Sequence, residues 1–272
     1  MPVIFGTEGW RAVMAEEFTG ENVRLVTQAI ADHLRQRPQS RTPGRVSRGQ
    51  GICVAVGHDT RFLSDHFARA ICEVLAGNGI ASLLTDRAVP TCAVSRTVVA
   101  KGLAAGLMVT ASHNPAIYNG LKVKEASGGS ATVETVASIE RRLGRSPVRR
   151  LPFEEALTAG LVRRDNLLPI FLRGIRSHVD LAAIRRRPLR VIVDAMHGAG
   201  DRLIEELLRG GRCRVRTIHA QPDPLFGGQA PEPIASRLRE LSALVRRSRA
   251  SIGIATDGDA DRLGVIGPDG TW

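Results

Sequence analysis

Short apolar segments alternate with segments of helical period along nearly the whole chain, and this alternation constrains the fold more than any other feature. Apolar residues recur at helical spacing in residues 21–36, at Val23, Val26, Ile30 and Leu34. Runs such as "ICVAVGHD" and "IASLLTD" are typical of strands, and "LSDHFARAICEVLAGNG" between them is typical of a helix ending at glycine. Strands that alternate with helices predict a layered α/β fold with mixed, mostly parallel sheets.

The same design occurs twice in the sequence. "VAVGHD" in the first half corresponds to "VIVDAM" in the second, and "GLMVTASHNP" corresponds to "IGIATDGDAD". The pattern loosens between residues 141 and 165, so we place a domain boundary near residue 150. The sequence therefore predicts two similar three-layer α/β/α domains, residues 1–150 and 151–272. Residues 37–51, "RPQSRTPGRVSRGQG", have no period and are predicted to form a loop.

Composition excludes several classes of protein. The chain has 272 residues and is 43% hydrophobic, which is enough for a sizeable core. It has no apolar run of about 18 residues and no basic segment leading into an apolar one at its start, so we predict neither a membrane span nor a signal peptide. Four cysteines without a CxxC pair indicate reduced, buried thiols, no zinc site and a cytoplasmic protein.

The net charge of +11 raises the question of nucleic-acid binding. Of the 38 basic residues 35 are arginines scattered along the chain, and only 4% of residues are aromatic, so stacking platforms are scarce. No helix-turn-helix, zinc-finger or RNP pattern is present. Arginines on solvated faces explain the charge better, and such a surface would also attract a small phosphorylated ligand.

The segment "TDGDADRLG" carries the strongest chemical pattern. Asp257, Asp259 and Asp261 alternate with small residues, so their carboxylates can converge, and they repel one another unless a cation compensates them. Hard oxygen ligands of this kind suit Mg²⁺. An EF-hand does not fit, because its sixth position would be Arg262 and its twelfth Pro268. A solvated acidic turn is the plain alternative; Arg262, which could clamp phosphate oxygens, argues against it.

The segment "LMVTASHNPAIYNGLKV" leads from an apolar run to Ser112 and, ten residues later, to Lys122. The serine is either part of a turn or a nucleophile at the edge of a sheet. A phosphate on Ser112 would supply the acceptor-rich ligand that a three-aspartate metal site needs. We therefore predict that this segment faces the acidic one across a domain interface for phosphoryl transfer, with Lys122 moving the hydroxyl proton.

These segments resemble the α-D-phosphohexomutases, a family that includes phosphoglucomutase and phosphomannomutase. The resemblance extends over nearly the whole chain and is carried by "FGTEGWR", "GHDTR", "TASHNP", "NGLK", "PDPLFGGQAPEP" and "DGDADR". It implies a phosphorylated Ser112, one Mg²⁺ held by that phosphoserine with the three aspartates, and a hexose 1,6-bisphosphate as primer and intermediate. It also implies that Lys122, His113 and Arg11 are catalytic and that Arg262, Arg11 and Asn119 bind phosphate or substrate. His113 could instead fix the loop, Arg11 could anchor the amino-terminal segment, and Lys122 could be a surface lysine.

The resemblance covers two of the family's usual four domains. We find neither a G-E-x-S-G sugar-recognition segment nor an R-x-S-G-T-E-P phosphate-binding segment, so we expect domains 3 and 4 to be absent from this chain. The predicted function is Mg²⁺-dependent interconversion of hexose 1-phosphate and 6-phosphate. A homodimer or a separate carboxyl-terminal chain would be the completing partner. "GTEGWR" favours glucose or mannose phosphate over glucosamine phosphate. The competing hypotheses are a non-catalytic phosphate-binding module and, less favoured, a nucleic-acid-binding protein.

Overall fold

The computed structural model describes residues 3–6, 9–36 and 51–272, and these residues form two compact units. The first unit comprises Met1–His58, Leu63–Thr110 and Ile117–Ile170. The second comprises Phe171–Trp272 together with two short segments, Asp59–Phe62 and Ala111–Ala116. The loop predicted at residues 37–51 lies, apart from its last residue, outside the described part of the chain.

The described residues of the first unit are built on a seven-stranded mixed sheet. Its strands are β1 (Phe5–Gly6), β2 (Gly9–Val13), β3 (Cys53–His58), β4 (Ala81–Thr85), β5 (Ala105–Val109), β6 (Tyr118–Glu125) and β7 (Val162–Asp165). They are ordered β1-β2-β6-β5-β3-β4-β7. The pairs from β5 through β3 and β4 to β7 are parallel, whereas those from β1 to β5 are antiparallel.

Helices lie on both faces of this sheet. The helices are α1 (Gly20–Gln36), α2 (Ser64–Gly77), α3 (Thr91–Lys101), α4 (Val133–Glu140) and α5 (Phe153–Thr158). Val54 and Val56 of β3 point into the core shared with α1 and α2. Alternation along the strand turns Gly57 to the other face. A Cβ there would lie 2.4 Å from Val94 of α3, so glycine permits the close approach of this helix.

The second unit has a four-stranded sheet covered on both faces. Its strands are β8 (Arg190–Asp194), β9 (Arg214–Ile218), β10 (Ile252–Thr256) and β11 (Leu263–Ile266), in the order β11-β10-β8-β9. Ile192 packs with α9 (Arg239–Ser248) on one face. Val191 and Val193 pack on the other with residues of α7 (Leu181–Arg186) and α8 (Leu203–Leu208). The linking helix α6 (Leu168–His178) spans the division between the units.

The two sheets share one topology, which confirms the repeated design and the mixed α/β fold predicted from the sequence. The order β6-β5-β3-β4 in the first unit matches β11-β10-β8-β9 in the second. In both, three parallel strands are followed by one antiparallel strand. The loop after β5 and the loop after β10 therefore occupy equivalent positions, each joining a parallel strand to its antiparallel neighbour.

The division between the units falls at Ile170, because β7 pairs with β4 and keeps this part of the chain in the first sheet. The domain boundary near residue 150 stays a prediction. The cysteines differ in part from what the sequence predicted. Cys72 and Cys213 are buried thiols as expected, but Cys92 is exposed and Cys53 is half-buried; all four are free. No helix among the described residues is long and apolar enough to cross a membrane.

Candidate active site

Two segments that follow strands of the first sheet belong to the second unit. Asp59–Phe62 follows β3, and Ala111–Ala116, here called the serine loop, follows β5. The second unit also contains residues 257–262, here called the acidic loop, which follow β10. The structure assigns to one unit a loop from residues 1–150 and a loop from residues 151–272, and a domain interface between them stays a prediction.

Ser112 is held against the acidic loop. Its side chain is fully buried, and its Oγ donates a hydrogen bond of 2.7 Å to Oδ2 of Asp257. Arg262 donates from a terminal guanidinium nitrogen to the same Oγ at 3.3 Å. The backbone of Ser112 is left-handed, with φ 54°, a conformation unfavourable for a residue with a Cβ. The serine hydroxyl thus lies between a carboxylate and a guanidinium.

The acidic loop is closed by one of its own carboxylates. Oδ1 of Asp257 accepts hydrogen bonds from the backbone N–H groups of Asp261 and Arg262, both at 3.0 Å. Ala260 takes a left-handed φ of 52°, which lets the chain reverse within the loop. As a result, oxygens of Asp257, Asp259 and Asp261 lie within 4.8 Å of one another, as the alternation in the sequence predicted.

Burial and repulsion raise the pKa of Asp257. Its pKa rises from 3.8 to about 7, first because burial disfavours the charged form and then because Asp259 and Asp261 lie nearby. The Ser112 hydroxyl and the backbone N–H of Arg262 act in the opposite direction. Burial and the neighbouring carboxylates thus make the charged form of Asp257 less favourable than it is in water.

This trio fits a divalent cation. The donors are hard carboxylate oxygens, and two of the three aspartates are buried. After burial, repulsion from Asp259 and Asp261 contributes to the raised pKa of Asp257, and a cation would relieve this repulsion. Among the described residues, no other group of three acidic, histidine or cysteine side chains has such convergent ligand atoms. Asp257, Asp259 and Asp261 are the residues that would hold Mg²⁺, and Ser112 is adjacent to Asp257.

Arg61 supports the serine loop and was not among the predicted site residues. Its guanidinium is buried and donates to the backbone carbonyls of Ser112, Asn114 and Pro115, at 2.7, 2.7 and 3.0 Å. It also pairs with Asp59 at 3.1 Å. "GHDTR" contributed to the family resemblance, but the sequence carried no sign that its arginine binds loop carbonyls 51–54 residues away.

His113 and the proline-rich segment at residues 222–233 complete this side of the site. Nε2 of His113 lies 4.0 Å from Oε1 of Glu232, whose other oxygen contacts Arg237.

Phe226 places its ring 4.9 Å beneath the Arg61 guanidinium. A Cβ on Gly258 would lie 2.6 Å from the Ser112 carbonyl oxygen, so glycine lets the two loops touch.

The other three predicted residues belong to the first unit. Lys122 lies on β6 and is 2% exposed, which excludes the alternative of a solvated surface lysine. Arg11 lies on β2 in register with Gly120. Asn119 is buried; its Nδ2 donates to Ser64 Oγ at 3.0 Å and its Oδ1 accepts from a backbone N–H. These bonds give Asn119 a structural role, and phosphate binding by it stays a prediction.

Comparison with known proteins identifies relatives along the whole chain. Profiles described as phosphoglucomutase/phosphomannomutase, alpha/beta/alpha domains I and II, match residues 2–148 and 169–270. A phosphoglucosamine/phosphogalactosamine mutase of Sulfurisphaera tokodaii is 30% identical over 99% of the chain and 56% of its own length. A phosphoglucomutase/phosphomannomutase of Thermococcus kodakarensis is 30% identical over 100% of the chain and 57% of its own length.

A solved structure agrees with these relatives. The crystal structure of a candidate phosphomannomutase from Thermus thermophilus is 38% identical, with a TM-score of 0.86 over 100% of this chain and 58% of that one. The chain therefore spans little more than half the length of the proteins it matches.

Proposed function

Because the chain belongs to the phosphoglucomutase/phosphomannomutase family, we propose that it carries the phosphoryl-transfer centre of a phosphohexomutase that works through phosphorylated Ser112. The observation that supports this most directly is the 2.7 Å hydrogen bond from Ser112 Oγ to Asp257 within the aspartate trio. The chain spans little more than half of its relatives, so mutase activity and the hexose phosphate substrate are part of the proposal.

In the unphosphorylated protein, Asp257 and Arg262 orient the serine. Asp257 Oδ2 accepts the hydrogen bond of the Ser112 hydroxyl, which directs a lone pair of Oγ away from the carboxylate. Arg262 lies close enough to Oγ to donate to the oxygens of a phosphoryl group placed there. Mg²⁺ bound by Asp257, Asp259 and Asp261 would polarise that phosphoryl group and neutralise its charge.

The proposed transfer breaks one O–P bond and forms another. The bond between Ser112 Oγ and phosphorus breaks as a hexose hydroxyl oxygen bonds to phosphorus. Lys122 takes the proton of that hydroxyl, and the released Ser112 Oγ takes up a proton from solvent. The hexose bisphosphate then returns its other phosphoryl group to Ser112 Oγ by the reverse step. His113, held near Glu232, and Arg11 are the further residues that we assign to this centre.

Glucose and mannose phosphates are the first substrates to test, because "GTEGWR" favours them. Glucosamine phosphate belongs in the same test, since relatives named for amino-sugar phosphates and for glucose or mannose phosphates align equally well with this chain. A hexose 1,6-bisphosphate would be the intermediate of each catalytic cycle and, before the first cycle, the primer that phosphorylates Ser112.

The proposal is tested by phosphoryl incorporation. The chain is incubated with Mg²⁺ and glucose 1,6-bisphosphate, and phosphorylated peptides are identified by mass spectrometry. We expect phosphate on Ser112, none in Ser112→Ala, and normal incorporation in Ser127→Ala, in which an exposed serine is removed. Asp259→Asn should slow incorporation by about 100-fold or more, because charge stabilisation worth several kcal/mol is lost.

Incorporation in Ser112→Ala equal to that of the wild type would refute the assignment. A coupled mutase assay with each hexose 1-phosphate then identifies the substrate, with Ser112→Ala as the blank.

A further inference from the structure

The structure assigns to Arg61 the role of positioning residue for the serine loop: its guanidinium binds three loop carbonyls and thereby holds Ser112 against the acidic loop. These carbonyls belong to Ser112, Asn114 and Pro115. Arg61 is 3% exposed, and its terminal guanidinium nitrogens donate to backbone carbonyls of the loop. Its influence on chemistry would therefore pass through the loop backbone.

The serine loop needs a donor from outside itself. Ser112 is left-handed and Pro115 has no N–H, so this stretch cannot continue the ladder of hydrogen bonds that β5 makes with its neighbours. Buried carbonyls without donors are costly. Within the loop, the N–H of Asn114 donates to the carbonyl of Ala111 at 3.1 Å. Arg61 supplies donors to the carbonyls of Ser112, Asn114 and Pro115.

The arginine is itself fixed on three sides. Asp59 accepts hydrogen bonds from its side-chain Nε at 3.1 Å and from its backbone N–H at 3.0 Å. The face of the guanidinium lies over the ring of Phe226. Both members of the Asp59–Arg61 pair have completely buried side chains, so the geometry of the guanidinium is set before any phosphate binds.

Lysine cannot replace this group. A guanidinium presents five N–H donors in a rigid plane, whereas an ammonium has three donors on a flexible stem and no flat face to stack on an aromatic ring. The carbonyls of Ser112 and Asn114 share one guanidinium nitrogen, and Pro115 binds the other. Arg61→Lys keeps the charge but loses this simultaneous contact.

Two variants separate positioning from stability. Arg61→Lys keeps a cation beside Asp59, and the double variant Asp59→Asn/Arg61→Gln removes both buried charges while leaving two amides that can bond each other. Arg69→Lys is the matched control: Arg69 also pairs with an aspartate, at 3.7 Å, and lies over Phe153, but it is on the surface. Thermal unfolding identifies the variants that retain the wild-type fold.

The local readout is amide hydrogen exchange measured by mass spectrometry on peptides covering residues 107–117 and, as internal reference, β10. We expect exchange in the serine loop to be about tenfold faster or more in both Arg61 variants, with β10 unchanged and Arg69→Lys like the wild type. Phosphoryl incorporation from glucose 1,6-bisphosphate should fall about tenfold or more in the same two variants.

The consequence for Ser112 chemistry rests on the proposed function, but the exchange measurement does not. A wild-type chain that takes up no phosphoryl group, together with faster loop exchange in the variants, would refute the proposed function and support the positioning role. Unchanged loop exchange, or exchange that rises equally in β10, would overturn the positioning role even if Ser112 is phosphorylated.

Discussion

Replacement of Asp257 by asparagine should make the metal-free protein more stable at neutral and alkaline pH. Asp257 is buried beside two other aspartates, and its pKa is raised to about 7. Asparagine has no charge to bury. It can still accept the two backbone N–H bonds of the acidic loop through Oδ1 and can donate from Nδ2 to Ser112 Oγ.

The size and the sign of this change in the free energy of unfolding follow from the raised pKa of Asp257. A carboxyl whose pKa is higher in the folded chain than in the unfolded one retains a proton that the unfolded chain loses above about pH 4. The free energy of unfolding therefore falls as pH rises from about 4 to about 7. A rise from 3.8 to about 7 corresponds to about 4 kcal/mol at pH 8, at roughly 1.4 kcal/mol per pH unit.

The assay is thermal unfolding of both proteins at pH 4 and pH 8 in a chelator, repeated with Mg²⁺. We expect the two proteins to have similar unfolding temperatures at pH 4, and we expect Asp257→Asn to unfold about 10 °C higher than the wild type at pH 8. Mg²⁺ should stabilise the wild type at pH 8 and the variant far less.

Asp223→Asn is a control in which the stability difference from the wild type should have the opposite sign at pH 8. The N–H groups of Leu225 and Gly227 lower the pKa of Asp223, so this variant should be less stable than the wild type at pH 8 and equal to it at low pH. A difference between Asp257→Asn and the wild type that does not change between pH 4 and pH 8 would refute the reasoning.

Two further predictions concern packing and thiol chemistry. Gly258→Ala should lower the free energy of unfolding by about 1–3 kcal/mol, because the new methyl group would lie 2.6 Å from the backbone oxygen of Ser112. It should also slow the proposed phosphorylation of Ser112. An unchanged urea unfolding curve would contradict this prediction. A thiol reagent should modify Cys92 first in the native protein and Cys72 only on unfolding, because Cys92 is exposed and burial raises the pKa of Cys72 to about 12. Peptide mapping of a timed reaction checks the order. Early modification of Cys72 would contradict the prediction.

The sequence predicted those elements whose own residues determine them. Helix α1 lies where apolar residues recur at helical spacing, and β3, β4, β8 and β10 lie at short apolar runs. The acidic loop converges because small residues separate its carboxylates, which is a local property.

Elements that depend on distant partners were missed. β6 contains Lys122 and Lys124, which are 2% and 8% exposed. Because these residues are charged, the apolar pattern of the sequence does not indicate a buried strand here. β7, "VRRD", is a strand because β4 offers it an open edge, and this pairing keeps the chain as far as Ile170 in the first unit. Arg61 was missed for the same reason, since its carbonyl partners come from a loop that only the fold brings near.

The distance along the chain between the serine and its carboxylate partner also bears on biosynthesis. Ser112 and Asp257 are 145 residues apart, so at roughly 5–20 residues per second a ribosome needs roughly 7–30 s to make the second after the first. The serine loop belongs to the unit that contains Phe171–Trp272. A nascent chain therefore carries the serine for many seconds before the carboxylate that accepts its hydrogen bond has been synthesised.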